Sequence, residues 1–498
     1  MNLIWLASIV FSLVGMGYCE RLSVSYLWIR KQRKFASKRQ NRNFFIVIPV
    51  IDEVARLPQT VKYFIEKFCK SRKVILCLVT TEREKAYFKS NTEKYLSVLN
   101  DLKDASDLQI FAQNHLLGTI KKQTKVNNLT RSAIRKLILD REDTIDCVRN
   151  LCRKYPNQVT TYHYPHENGK MAHQINFAVK GICAEKNVGS RDFFGIYNAD
   201  SKPHPKTLDY IDTFASTQTD LAVFQQHGNY LKNHIVLTKN FWTGSVLFSA
   251  ALWQTRWSLA IEMYNTFRQL PAQKLPQLVR RFLYPANYCV GHGLFFTRAV
   301  YEKVTCLSEV TMNEDAEFGL ELNQLEIPIT PIPFFDLSDS PDSIRSLFIQ
   351  KSIWFFSPLQ SYVYYRIIIN KHKGDIDRLK LAILSARFLM FAIYWLIGPI
   401  IFFGILLGFR STLALWILAY LFYLIIPDLF AYLLILEMEQ DESLKKRRLS
   451  YIPQIVIGSG LAYLLHGLSA LRAIGLATRK HFTGKEIQKN RTEMNHTS

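Results

Sequence analysis

Phe44-Phe45-Ile46-Val47-Ile48-Pro49-Val50, at residues 44–50, is a short run of aromatic and β-branched residues without polar alternation. Such a run suits a strand buried on both faces, the situation of a parallel sheet covered by helices. Working outward, a helix is expected from about Pro58 to Lys70, and the next apolar run, Val74-Ile75-Leu76-Cys77-Leu78-Val79, ends in Thr80-Thr81-Glu82. Strand, helix and strand in this space make a βαβ unit and favour an α/β class with a mostly parallel sheet. Val159 to Tyr164 and Phe193 to Tyr197 supply two further strand candidates, with a helix-like segment from Lys170 to Val179 between them. Residues 83–155 are charged, rich in Lys, Asp and Asn, and helical in character, which marks them as an insertion.

The two ends of the chain differ from this middle. Asn2 to about Tyr18 carries no charge and nearly crosses a bilayer core as a helix. No basic region precedes it and no small-x-small cleavage site follows, so it reads as an anchor rather than a signal peptide. Arg30-Lys31-Gln32-Arg33-Lys34 and Lys38-Arg39 follow it, which places the next domain in the cytoplasm. Phe388 to Gly408 and Leu413 to Leu436 are each long enough to span, with a turn around Arg410, and form an expected hairpin. Lys445-Lys446-Arg447-Arg448 marks the same side. For Ile455 to Ala477, a single span would export the basic tail Arg479 to Arg491, so re-entrant, interfacial and spanning placements all stay open.

The expected organisation is a transmembrane helix at 1–28, a cytoplasmic α/β domain at 43–345 with its insertion at 83–155, and an interfacial amphipathic segment at 346–380. A transmembrane hairpin at 388–436 follows, then a basic loop, a further hydrophobic segment and a basic tail at 437–498. The chain is thus expected in the cell's inner (plasma) membrane, multi-pass, with its catalytic domain cytoplasmic. A net charge of +22 could suggest nucleic acid, but the basic residues crowd beside the hydrophobic segments, where anionic headgroups attract them. Membrane, not nucleic acid, is the expected partner. The eight cysteines form no Cys-x-x-Cys pair, which argues against zinc and a disulfide framework.

Ligands of open α/β sheets bind beyond the carboxyl ends of the strands, so the polar residues after each apolar run carry the chemistry. In Tyr197-Asn198-Ala199-Asp200-Ser201 a carboxylate stands just past a strand, where it can hold Mg²⁺ or Mn²⁺ bridging a diphosphate. The plainer account is a loop cap. Gly169-Lys170 stands at an expected helix start, where backbone donors and an ammonium meet phosphate; a solvated helix terminus is the bland alternative. Asn313-Glu314-Asp315-Ala316-Glu317 sets carboxylates side by side before an apolar helix pattern, either as a general base or as acidic first-turn residues favoured by the helix dipole. His292, between Gly291 and Gly293, is more often a loop constraint than a base. Asp428 follows Pro427 inside an expected span; a charge there is a functional candidate, lying near the inner interface or paired with Arg387.

In this order the segments resemble the membrane-bound family 2 glycosyltransferases of GT-A-type fold, the group that includes cellulose and hyaluronan synthases, over about residues 43–360. Ile48-Pro49-Val50-Ile51-Asp52-Glu53 is similar to the family's first strand with its nucleotide-side acid, Glu53. His163-Tyr164-Pro165 and Gly169 to Asn176 resemble the segment before the metal motif, and Asn198-Ala199-Asp200 resembles Asp-x-Asp, with Asp200 as metal ligand. Gly291-His292-Gly293 resembles the acceptor-side loop, Glu314-Asp315 the Glu-Asp pair whose aspartate is the base, and Gln350 with Trp354 the Gln-x-x-Arg-Trp motif.

Three positions depart from the pattern. Asn198 replaces the first aspartate, Thr80-Thr81-Glu82 stands where an aspartate pair contacts the nucleotide, with Glu82 as the substitute, and Ile353 takes the arginine position. Trp354 suits either stacking on a sugar or anchoring an interfacial helix. The resemblance implies an inverting, metal-dependent hexosyl transfer from a nucleotide sugar, UDP-linked first of all, to a lipid-linked or polysaccharide acceptor, with polysaccharide-export partners. The rival from another class is a catalytically silent homologue that scaffolds a polysaccharide assembly complex, which the three departures leave open.

Overall fold

In the computed structural model the described residues are 2–38, 40, 42–102, 104, 106–108, 111–112, 130–373, 376–407, 413–439 and 442–483. Along the chain run α1 (Asn2–Gln32), β1 (Phe44–Pro49), α2 (Leu57–Phe64), β2 (Val74–Thr81), α3 (Arg83–Asp101), α4 (Arg131–Leu139), α5 (Thr144–Lys154), β3 (Val159–Tyr164) and α6 (Met171–Glu185). Next come β4 (Phe193–Ile196), β5 (Lys202–Pro203), β6 (Val223–Asn229), α7 (Phe241–Trp257), β7 (Leu294–Thr297), α8 (Glu314–Gln324) and β8 (Ile329–Leu337). The chain closes on α9 (Ile344–Leu359), α10 (Ser361–Lys371), α11 (Arg378–Leu407), α12 (Leu413–Met438) and α13 (Ile452–Thr483), with shorter helices between. The turn around Arg410 and the tail beyond Thr483 lie outside the described residues, as does much of the insertion between residues 103 and 129.

The chain divides into two compact units, one of Lys38–Leu221 with Gly291–Glu309, the other of α1, Ala222–Val290 and the described residues from Val310 to Thr483. The stretch 43–345 therefore contributes to both. In the first unit the strand order is β3-β2-β1-β4-β7. β1 pairs parallel with β2 and β4, β2 pairs parallel with β3, and β4 pairs antiparallel with β7. The parallel register puts Phe44 beside Phe193 and Phe45 beside Phe194. Their rings meet at 5.6 and 5.8 Å, so the aromatic strand runs close the core between helices on either side. Gly195 sits in β4 because a Cβ there would come within 2.4 Å of the Phe295 ring. The fold is α/β with a mostly parallel sheet, as the alternation of strands and helices predicts.

The second unit pairs β6 parallel with β8 and gathers the apolar helices. Among the described residues, Arg378–Ile405, Leu413–Met438 and Ile452–Thr483 are long and apolar enough to cross a membrane. Phe402 on α11 meets Trp416 of α12 at 5.8 Å and Tyr463 of α13 at 5.6 Å, so the three pack around shared aromatic rings. α1 joins them: Phe11 lies 5.3 Å from Phe402 and 4.9 Å from Tyr423, and Gly15 permits backbone approach to Phe422. α1 leaves Trp5, Leu6, Ile9, Leu13 and Met16 exposed along its length.

Asp428 does not pair with Arg387. Its Oδ1 lies 2.9 Å from Nη1 of Arg256 on α7, and Ser459 Oγ of α13 donates to its Oδ2 at 2.7 Å. Arg387 instead donates to the carbonyls of Tyr284, at 2.9 Å, and Phe282. Arg256 is as buried as Asp428, so the two opposite charges compensate each other within the packed helices.

Candidate active site

In the first unit the carboxyl ends of β1, β2, β3 and β4 bring most of the donor-side candidates to one end of the sheet. β1 runs into Ile51-Asp52-Glu53, where Asp52 adopts a left-handed φ of 52° that a non-glycine residue holds only under constraint. The constraint is Glu84, buried on α3. Its Oε2 accepts from the Asp52 amide at 2.7 Å, and its Oε1 from the Thr144 amide at 3.2 Å. Burial raises the Glu84 carboxyl above its ordinary pKa, against the bonds it accepts. Glu53 is held in turn, its amide donating to Thr144 Oγ1 at 3.0 Å.

At the end of β2, Glu82 is tied to neighbours. Lys85 bonds its Oε1 and His163 Nε2 lies 2.9 Å from its Oε2. These bonds, Lys85 first, hold its carboxyl below the usual range. Thr80 Oγ1 lies 3.0 Å from His163 Nδ1, so a hydroxyl donating there leaves the ring proton on Nε2, facing Glu82.

α6 crosses the same end. Gln174 Nε2 donates to the carbonyls of Val79 at 2.8 Å and Val50 at 3.4 Å, which fixes the helix start over β1 and β2. Lys170 stands at that start, and its amide donates to His173 Nδ1 at 3.3 Å. Gly169 is required where a Cβ would come within 2.5 Å of the Tyr164 ring. A cleft of about 210 Å³ lies against α6, between Tyr164, His173, Phe177, Lys180 and Glu309.

After β4 the chain turns through Asn198-Ala199-Asp200-Ser201: the Ser201 amide donates to the Asn198 carbonyl at 3.2 Å, and Thr60 Oγ1 bonds the Ala199 carbonyl. Asn198 is exposed, and Asp200 Oδ2 lies 4.0 Å from Arg56 Nη1 at the head of α2. Beside this turn runs the glycine loop. Gly293, with φ 65°, donates its amide to the Ile196 carbonyl at 2.7 Å, and Leu294 then pairs with Ile196. Gly291 and His292 are thereby brought next to Asn198 and Asp200. Among the described residues no group of three or more His, Cys, Asp or Glu side chains forms a metal cluster. The Asp200 carboxylate and Asn198 amide are hard oxygen donors, a set that fits a cation sharing its remaining positions with a diphosphate and water.

Glu314, Asp315, Gln350 and Trp354 belong to the second unit. The Glu314-Asp315 pair opens α8, and the two residues before it are anchored. Asn313 Nδ2 donates to the Ile353 carbonyl at 3.2 Å, and the Met312 amide to Gln360 Oε1 at 3.2 Å. The structure therefore joins the acidic pair to the helix that carries Gln350 and Trp354. Ile353 itself packs with Phe355, Phe356, Ala392, Ala470 and Ala473. Trp354 faces Lys351, whose Nζ lies 4.5 Å from its ring centre, and Tyr230 at 6.4 Å. Further along α8, Glu317 and Glu321 are fully buried; Lys371 Nζ lies 3.3 Å from Glu317 and 2.8 Å from Glu321, and His372 Nε2 lies 2.6 Å from Glu321. Burial drives Glu317 up to about 7, against the pull of Lys371.

Sequence reasoning passed over Arg56 and Glu84, and took His163, Gln174 and Asn313 only as members of longer segments, without a role of their own. Glu84 and Asn313 act through partners 60 and 40 residues away, which no local pattern discloses.

No family model matches the chain, and no curated protein matches it. Among solved structures, the mannosyltransferase PcManGT from Pyrobaculum calidifontis in complex with GDP-Man and Mn²⁺ is 12% identical, with a TM-score of 0.43 over 97% of this chain and 100% of that one. TarS 1-349 from S. aureus is 10% identical, with a TM-score of 0.31 over 90% of this chain and 93% of its own. Likenesses this distant leave the chemistry to be read from the chain's own residues.

Proposed function

We propose that this chain is a membrane-bound inverting glycosyltransferase, moving a sugar from a nucleotide-sugar donor, UDP-linked in the first instance, to a lipid-linked or polysaccharide acceptor at the cytoplasmic membrane face. The observation that carries the reading is the meeting of Asn198, Asp200 and the Gly291–Gly293 loop at the sheet end that also holds Glu53, Glu82 and Lys170. Parallel sheets bind nucleotides at that end. The exposed apolar face of α1 and the three long apolar helices support the membrane assignment.

Each residue has a role in this reading. Glu53 and Glu82 face the nucleoside, Lys170 and Arg56 the diphosphate, and Asp200 with Asn198 would hold Mg²⁺ or Mn²⁺. That cation, when bound, neutralises charge on the departing diphosphate. Asp315, supported by Glu314, takes the proton from the acceptor hydroxyl as its oxygen attacks the anomeric carbon from the face opposite the leaving group, which inverts the centre. Gly291, His292, Gln350 and Trp354 line the acceptor side.

The test is nucleotide release from UDP-, GDP- and dTDP-sugars by detergent-purified protein with Mg²⁺ or Mn²⁺ and native lipid. One donor should be consumed, and Asp315→Asn should lower kcat by about 10²-fold or more with little change in donor KM. Asp200→Asn should raise the metal concentration needed for half-maximal rate. If no donor is consumed, the transferase reading fails and the scaffolding role replaces it.

A further inference from the structure

The short helix Gln277–Leu283 of the second unit, Gln-Leu-Val-Arg-Arg-Phe-Leu, buries none of its 7 residues. Pro276 starts it: the Arg280 amide closes the first turn on the Pro276 carbonyl at 2.8 Å, and the Tyr284 amide closes the last on the Arg280 carbonyl at 3.0 Å. At about 3.6 residues per turn, Leu278, Val279, Phe282 and Leu283 share one face, with Arg280 and Arg281 opposite. The apolar face is open, with Leu278 66%, Phe282 45% and Leu283 60% exposed. The basic face is engaged. Arg280 Nε lies 3.1 Å from Glu326 Oε1, its Nη1 donates to the Gln273 carbonyl at 3.0 Å, and Arg281 Nε lies 2.5 Å from Asp377 Oδ2. The helix thus grips the protein by its matched charges and turns its apolar residues outward.

The same segment is tied to α11 at a definable depth. Arg387 of α11 donates to the carbonyls of Tyr284, at 2.9 Å, and Phe282. Asp377, which holds Arg281, also caps the start of α11 by accepting from the Lys380 amide at 3.0 Å. From Phe388 to Leu407 α11 carries no charged residue and rises about 30 Å, the thickness of a bilayer's hydrocarbon core. Arg387 is the last charge before that stretch, so its guanidinium belongs at the headgroup boundary, and the end of the short helix lies there with it. Met390, Tyr394 and Ile401 continue the face of α11 that carries Arg387, and all three are exposed. The short helix therefore stands at the head of an exposed stripe on a helix apolar enough to span.

We propose that Leu278, Val279, Phe282 and Leu283 form a membrane-docking face that inserts into the boundary between headgroups and acyl chains of the bilayer crossed by α11. This rests on the reading that α11 spans, and adds the surface that sets the height of the second unit. Seven residues bind a membrane weakly, but the span already holds them at its surface, so a weak affinity suffices. Through Glu326, just beyond α8, the docked helix holds the far end of the helix that Glu314-Asp315 opens.

The full chain is made with the photoreactive residue p-benzoylphenylalanine replacing Leu278, Phe282, Ile400 of α11 or Leu139, an exposed leucine of the first unit that measures chance collision. Each protein is reconstituted in vesicles of dioleoylphosphatidylcholine and irradiated, and its lipid adducts are measured by mass spectrometry. Positions 278 and 282 should give adducts about fivefold or more above position 139, as position 400 does. Adding Val279→Glu with Leu283→Glu puts two charges into the boundary and should cut the adduct from position 278 by about fivefold, leaving that from position 400 unchanged. Both residues lie on the open face, so the folded chain tolerates the pair. Adducts at 278 and 282 no higher than at 139, with position 400 still adducted, overturn the docking face while the span stands. No adduct at position 400 overturns the span and the docking face together. An undiminished adduct in the double-Glu chain, or crosslinks from position 278 to a second copy in place of lipid, also overturns the proposal.

Discussion

Glu84 shows how much a single buried carboxylate can organise. Two backbone amides, those of Asp52 and Thr144, depend on it, and the first belongs to a residue whose φ of 52° is otherwise unfavourable. Glu84→Ala strands both donors, partly offset by relief of a buried acid, and should cost about 2 kcal/mol in chemical denaturation. It should also raise donor KM, since Glu53 follows Asp52 directly. Glu317 makes a different forecast. Its folded pKa of about 7 stands above the ordinary 4.5, so between these values the folded chain holds a proton the unfolded chain has released. Stability from this group is complete at pH 4.5 and is lost as pH rises through 7. Melting temperatures at pH 5 and pH 8 should therefore differ more in the parent than in Glu317→Gln; equal differences would reject the assignment.

At the scale of elements, continuous apolar runs were the legible part. The segment Val159–Tyr164 is a strand over the expected residues, Phe193–Tyr197 ends one residue early, and the helix expected from Lys170 begins at Met171 and extends to Glu185. The helix expected over 58–70 begins at Leu57 and is wound as a π-helix over Ile65–Cys69. β6 gave no such signal, because Gln225, Gln226, His227 and Asn229 look like a loop until their partners are known; Gln225 Oε1, for one, accepts the Val290 amide at 3.0 Å. The candidate motifs on each unit were expected from their order along the chain. Their supports, such as Asn313 on Ile353, were not, since the partner lies on another helix. Helix packing supplies the element-scale prediction. A Cβ on Gly458 of α13 would come within 1.9 Å of the Ser245 carbonyl on α7, so Gly458→Ala must push two backbones apart. A loss of about 2 kcal/mol or more is expected, whereas Gly475→Ala, with open space around it, should leave the melting temperature unchanged or higher.

At the scale of the whole molecule, the Arg256–Asp428 pair ties α7 to α12. Removing one partner, as in Asp428→Asn, leaves the other charge buried alone and should cost about 3–5 kcal/mol. The double change Arg256→Met with Asp428→Leu should recover most of that loss, while Arg387→Ala, which affects only carbonyl acceptors, should be milder. Yield and melting temperature in detergent check all three. α1 carries a consequence of another kind, because the residues it packs on, Phe402, Phe422 and Tyr423, are translated about four hundred residues after it. At ordinary elongation rates the ribosome needs roughly 20–80 s to reach them. The half of α1 around Ser25 and Trp28 meets Leu259 and Phe267 sooner, but for that interval the half around Phe11 and Gly15 lacks these partners, and during biogenesis lipid or an insertion chaperone must stand in for the helices still to come.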